Sequence, residues 1–230
     1  MTNTEEDKET YPHLLFDKYI PEGKTLCTTL MVLSAISILL TIFIRTSPYI
    51  PVFISIADML NVLVFAALLL IFRHYLLNFE LGNVRTAVLI YVIYSLVSIA
   101  ADRILLYGYL SHADLTPTMG DYAVADIVDM VFVTADNIIF IALYVYIGIS
   151  LYRYKDDFVG GLQPLGQVFL VMATTCIISF TLSVLMETFV GSTISFPQAT
   201  SFLVTAAYIY LLYVMRFTFG SAEKYIEDSE

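Results

Sequence analysis

Six long apolar segments dominate this chain and limit what it can fold into. Each runs for about 20 residues or more, which is the length an α-helix needs to cross about 30 Å of hydrocarbon. Short stretches of turn-forming residues, such as Thr46-Ser47-Pro48 and Gly191-Ser192, separate them. The sequence therefore predicts an all-α, polytopic membrane bundle of six transmembrane helices, at 27–44, 52–72, 86–110, 122–152, 165–190 and 197–217.

Composition points to the same environment. Hydrophobic residues make up 59% of the chain and charged residues 14%, whereas a soluble domain carries about 25% charged residues because its surface faces water. Most of this surface must therefore contact a lipid bilayer. The formal net charge of −10 leaves no basic patch for phosphate groups, which excludes nucleic acid as a partner.

The distribution of Lys and Arg predicts the orientation in the membrane. Positive charges concentrate in cytoplasmic loops, and nine of the 11 Lys and Arg residues fall on one side of the predicted spans: Lys8, Lys18, Lys24, Arg73, Arg85, Arg153, Lys155, Arg216 and Lys224. Arg45 and Arg103 fall on the other side. Both termini are therefore expected in the cytoplasm, as acidic tails at 1–25 and 219–230 flanking a membrane domain at 26–218. A plasma membrane is expected, and the absence of an N-x-[ST] sequon fits a bacterial inner membrane.

Acidic residues inside or at the edge of the apolar spans are the most informative feature for function. An ionised carboxylate in mid-bilayer costs about 2.5–3.5 kcal/mol or more, so such residues need a partner or a role. All of them fall in the predicted outer half of the membrane: Asp58, Asp102, Asp126, Asp129, Asp136 and Glu187. Asp58 and Asp136 lie deepest and are the strongest candidates for a functional site.

Helical periodicity gathers these acids and other polar residues into stripes. At about 100° per residue, Asp126, Asp129 and Asp136 fall within about 80° of one another on one helix. Four other spans also carry polar stripes, so we expect the stripes to face a common acidic cavity that opens outward. The predicted ligand-binding residues are Asp58, Asn61, Tyr94, Asp102, Arg103, Asp129, Asp136 and Glu187.

Arg103 is the basic residue within this set. It follows Asp102 directly, so the two side chains point about 100° apart and cannot both face one spot. We expect Arg103 to reach a carboxylate on a neighbouring helix, with Asp58, Asp129 and Glu187 as candidates. It would then supply the counter-charge of the predicted cavity.

A structural interpretation of the same acids stays open. The fourth span, at 122–152, is about 46 Å of helix, longer than the hydrocarbon is thick. Asp126 and Asp129 would then stand in water, and Asp58 would pair with Arg103 to hold helices together.

Five tyrosines lie deep in the spans, and their hydroxyls also need hydrogen-bond partners: Tyr91, Tyr94, Tyr144, Tyr146 and Tyr208. We expect these hydroxyls to bond to neighbouring helices rather than to line a cavity.

Several chemistries lack the residues they require. The segment between Lys24 and Lys155 contains no Lys, so no span can form a retinal Schiff base. The sequence has no GxxxxGK[ST] phosphate loop, and its three histidines, His13, His74 and His112, lack the HExxH spacing of zinc proteases. We therefore predict neither enzymatic activity nor a cofactor.

Two functions from different classes remain. The first is binding or transport of a cation or cationic small solute through the outward-facing acidic cavity. The layout of six spans with both ends inside resembles the substrate-capturing subunits of vitamin and metal uptake systems, which implies a partner membrane or ATPase subunit; no motif carries this resemblance. The second is a non-catalytic membrane scaffold or sensor subunit that acts through protein partners.

Overall fold

The computed structural model is all-helical and describes residues 19–42, 50–79, 81–112, 119–154, 161–190 and 196–229. Side chains are described within 19–41, 56–77, 79, 81–101, 131–154, 161–185 and 201–224. Its helices are α1 (Ile20–Ile42), α2 (Ile50–Tyr75), α3 (Gly82–His112), α4 (Met119–Tyr152), α5 (Leu162–Val190) and α6 (Phe196–Ser229). All six are long and apolar enough to cross a membrane, which confirms the predicted fold class at that level.

Local sequence explains where these helices begin. Proline occupies the first turn of four of them, as Pro21, Pro51, Pro164 and Pro197. Its fixed φ suits a helix, and its missing N–H costs nothing where the amide has no partner within the helix. A short 3-10 turn, Leu76–Phe79, connects α2 to α3. It reverses the chain within a few residues, so the two helices run side by side.

Two helices extend into the segments predicted as terminal tails. α1 begins at Ile20, inside the segment predicted as the N-terminal tail, and α6 continues to Ser229 through the segment predicted as the C-terminal tail. Hydropathy detects the part of a helix that prefers lipid, whereas helix formation itself tolerates residues such as Glu22 and Glu223. The first 18 residues, including the rest of the predicted N-terminal tail, lie outside the described residues.

The six helices form a closed antiparallel ring. Each packs against the next in the chain, and α6 packs back against α1. At the α1–α6 contact, Lys24 forms an ion pair with Glu223, and Gly23 lies against the Phe219 ring. An even number of helices joined by short connections allows such a ring to close.

Burial divides the ring into two halves. In the packed half, buried residues such as Leu30, Phe72, Val88, Ile147 and Leu211 fill the space between the helices. This half covers residues 20–34, 65–79, 84–95, 144–151, 161–173 and 211–222. The opposite half covers residues 35–41, 56–64, 96–101, 131–143, 174–185 and 201–210, and none of these is buried. Side chains that point between the helices there remain accessible.

A close helix contact lies in the packed half, between α4 and α5. A Cβ atom added to Gly166 would stand 2.4 Å from the Tyr152 backbone nitrogen and 2.8 Å from the Gly148 carbonyl oxygen. Glycine is required because any side chain would enter the backbone of the facing helix. This contact fixes how the C-terminal half of α4 sits against the start of α5.

Candidate functional site

Asp136 lies on α4 in the opposite half and faces α3. Its Oδ1 accepts a hydrogen bond of 2.7 Å from the Ser98 hydroxyl, and the Tyr94 hydroxyl also interacts with this carboxylate. Asp136 and Ser98 are both half-buried. The structure thus brings together two predicted ligand residues, Asp136 and Tyr94, and adds Ser98. Both neighbours are neutral hydrogen-bond donors, so they stabilise a negative charge on the carboxylate without cancelling it.

A second polar group joins α1 and α2. The Ser37 hydroxyl donates to Asp58 Oδ1 at 3.1 Å, and Asn61 Nδ2 donates to the Ser34 hydroxyl at 3.4 Å. Asp58 and Asn61 are predicted ligand residues one helical turn apart, and the two serines have the same spacing on the facing helix. Antiparallel packing therefore places the four side chains as two successive rungs.

Asp58 is exposed although it lies on the inward face of α2. At about 100° per residue it falls within about 40° of Phe65, Leu69 and Phe72, and all three of these side chains are buried in the packed half. The same face therefore changes from buried aromatic and aliphatic residues to an exposed carboxylate. On α4, Asp136 similarly lies within about 20° of the buried Ile147.

An aromatic layer lies where the two halves meet. The rings of Phe65 and Tyr91 are 5.9 Å apart, and those of Phe65 and Tyr208 are 5.1 Å apart. Tyr144 continues the layer to Phe169 of α5, at 6.0 Å between ring centroids. The Tyr91 and Tyr144 hydroxyls share a hydrogen bond of 2.7 Å between α3 and α4, which confirms the predicted bonding between helices for this pair. The layer supplies a packed, largely apolar base beneath the carboxylates.

Positive charge is absent from the described part of the opposite half. None of the residues listed for that half is Lys or Arg, and neither Asp58 nor Asp136 forms an ion pair with a described basic side chain. The described basic residues lie in the packed half or beside it: Lys24, Arg73, Arg85, Arg153, Arg216 and Lys224. Among the described residues, no group of three or more His, Cys, Asp or Glu side chains is arranged to hold a metal ion.

The remaining predicted ligands fall outside the described side chains. Asp102 and Arg103 belong to α3, Asp129 to α4 and Glu187 to α5. Within the described side chains, no hydrogen bond joins the Asp136 group to the Asp58 group. Whether all the acids share one cavity, and whether Arg103 is their counter-charge, therefore stay predictions.

The predicted set omitted the hydroxyl partners Ser34, Ser37 and Ser98. Ser34 and Ser37 stand three residues apart in an otherwise apolar stretch of α1, and this spacing places both on one helical face. It is the same signal that singled out the polar stripes of the other spans. Which helix they face depends on tertiary packing, which sequence spacing does not report.

Comparison with known proteins identifies no relative of this chain. No protein family model, no curated protein and no solved structure matches the chain.

Proposed function

We propose that this multi-pass membrane protein binds a cation or a cationic small solute between its helices and carries it across the membrane, alone or as the substrate-binding subunit of a transporter. The environment of the Asp136 carboxylate is the observation that supports the proposal. Its carboxylate lies within a candidate membrane span and has only neutral partners among the described side chains. A bound cation would cancel this charge, which is costly to leave unpaired inside a membrane.

The accessibility of the opposite half supports binding at Asp58 and Asp136. The carboxylates of Asp58 and Asp136 lie beyond the aromatic layer, on helix faces that are accessible rather than buried. A solute entering from that side would meet negative charge, hydroxyl groups and the Tyr94 ring before it reached the packed half. Helices that are packed at one end and accessible at the other are consistent with one state of an alternating-access cycle.

The first test is thermal stability of the detergent-purified protein with a panel of metal ions and organic cations. A ligand that binds only the folded state raises Tm. We expect at least one cation to raise Tm of the wild type. Asp136→Asn should raise the half-saturating concentration of that cation at least about 10-fold, since each factor of 10 corresponds to about 1.4 kcal/mol of lost interaction.

Glu223→Gln is the matched control, because it makes the same carboxylate-to-amide change at the α1–α6 ion pair. This variant should keep the cation response of the wild type. If no cation raises Tm of the wild type and Asp136→Asn simply melts lower, Asp136 is a structural residue and the proposed function is wrong.

A scaffold or sensor subunit is the second candidate, and the hydroxyl–carboxylate bonds favour it. Ser37–Asp58 joins α1 to α2, and Ser98–Asp136 joins α3 to α4. Polar contacts of this kind hold membrane helices together, at about 0.6–2 kcal/mol each. In this case both carboxylates serve the fold, and function lies in binding a protein partner. The cation panel separates the two candidates, because a purely structural carboxylate gives no ligand-dependent rise in Tm.

We further propose that the packed half faces the cytoplasm of a plasma membrane, so that the carboxylates are reached from outside. The basic residues at the end of the packed half support this, since positive charges are retained on the cytoplasmic side. Epitope tags at both termini should resist external protease in intact cells, whereas a tag inserted between α3 and α4 should be cleaved. Cleavage of either terminal tag in intact cells would reverse the proposed orientation.

A further inference from the structure

The polar group between α1 and α2 presents oxygen atoms from two facing helices. Asp58 contributes a carboxylate, Ser34 and Ser37 contribute hydroxyls, and Asn61 contributes an amide. The contacts of 3.1 Å and 3.4 Å between the helices bring these four side chains together within one helical turn. Ser34 is only 1% exposed, whereas Asp58 is exposed. The group therefore extends from an accessible carboxylate to a buried hydroxyl.

One oxygen of this group has no partner among the residues that the structure describes. Asn61 Oδ1 is buried and accepts no hydrogen bond from any of them. A buried polar atom without a partner costs about 1–3 kcal/mol, so a ligand that pairs with it stabilises the folded state. Its neighbour Ser34 accepts the Asn61 amide N–H, so it does not donate its own hydrogen in that contact. The open acceptor belongs to the same group of side chains as a carboxylate and two hydroxyls, so it is available to coordinate a bound cation.

We propose that Asp58, Asn61, Ser34 and Ser37 form a binding site for a monovalent hard cation of the alkali series. The donor atoms are all oxygens, which suit hard cations, and the group contains neither the thiolate nor the imidazole that softer metals prefer. One carboxylate balances one positive charge, whereas divalent cations are held by several carboxylates or by phosphate. This inference rests on the proposed function and goes beyond it, because it adds an alkali-cation site between α1 and α2 to the proposed site at Asp136.

Alkali cations provide the direct test. We expect Tm of the detergent-purified protein to rise by at least about 3 °C when choline chloride is replaced by NaCl, KCl or LiCl at constant ionic strength. Asn61→Leu removes the open acceptor, and Ser37→Ala removes a hydroxyl with little change in volume. Each should raise the half-saturating concentration of the favoured ion at least about 10-fold.

Asn137→Leu is the matched control for Asn61→Leu. Asn137 also lies in a membrane span, but its amide donates to the Val133 carbonyl of its own helix. It should therefore keep the full alkali response. Ser37→Ala keeps the test valid should Asn61→Leu fail to fold.

The outcomes separate this site from the proposed function. If alkali ions and choline give the same Tm while another cation stabilises the protein in an Asp136-dependent way, the α1–α2 site is wrong and the proposed function stands. If no cation stabilises the wild type, both are wrong. Equal loss of the alkali response in Asn61→Leu and Asn137→Leu would also overturn the site, since the effect would then lack any specificity for α1 and α2.

Discussion

Replacement of Gly166 by alanine is expected to destabilise the protein by about 3 kcal/mol, the upper range for forcing one methyl group into a packed interior. The added carbon would stand 2.4 Å from the Tyr152 backbone nitrogen and 2.8 Å from the Gly148 carbonyl oxygen. These atoms belong to the backbone of α4 and cannot rotate away, so α4 and α5 must separate along their contact. Unfolding titrations in SDS, starting from mild detergent, measure the loss.

Two further glycines make this prediction specific. Gly220→Ala lies in the interior of α6 with nothing within 4 Å of the new carbon, and alanine favours the helix by up to about 1 kcal/mol over glycine. Its stability should be unchanged or higher. Gly148→Ala should fall between the two, because the nearest atoms, at 2.9 Å and 3.0 Å, belong to the flexible Leu170 side chain. Equal stabilities for Gly166→Ala and Gly220→Ala would show that α4 and α5 do not make this contact.

Replacement of Phe169 by alanine is expected to cost about 3 kcal/mol or more, as for other buried aromatic residues. Phe169 is 1% exposed, and its ring lies 6.0 Å from that of Tyr144 in the aromatic layer. Its removal leaves a void between α4 and α5 that neighbouring side chains fill only in part. The same SDS titration measures the loss.

Phe217 provides the matched control, since it is also a phenylalanine in a membrane span but is 59% exposed. Lipid chains are as apolar as the ring and would take its place, so Phe217→Ala should change stability by less than about 1 kcal/mol. A comparable loss in both variants would contradict the inward position of Phe169. The comparison tests packing rather than hydrophobicity, because both residues leave water to a similar degree.

Phe169 and Phe217 also show that sequence alone does not tell which apolar residues face lipid and which face another helix. Phe169 and Phe217 are equivalent to a hydropathy window, since both are apolar residues in predicted spans. Hydropathy measures the free energy that an apolar side chain gains on leaving water, and in a membrane protein lipid and a neighbouring helix provide that gain equally. Which face of each helix turns inward is set by close packing, and only the assembled ring shows it.

The candidate site was likewise predictable from the sequence only in part. Sequence alone indicated that Asp58 and Asp136 were out of place, because a carboxylate deep in an apolar run has a cost that any lipid environment imposes. It did not indicate that Ser98 donates to Asp136 or that Ser37 donates to Asp58. Each of these bonds joins two helices, so it depends on their rotation and register.

Sequence by itself determined that this is an all-helical chain with six helices able to cross a membrane, because span length and low charge follow from the thickness and polarity of a bilayer. Tertiary structure alone decided that the helices close into a ring, packed in one half and accessible in the other. It also decided that Gly166 touches the backbone of α4 and that Asn61, one helical turn from Asp58, keeps a buried oxygen without a partner among the described residues. These features arise from contacts between distant residues, whose free energy depends on atomic fit and not on composition or periodicity.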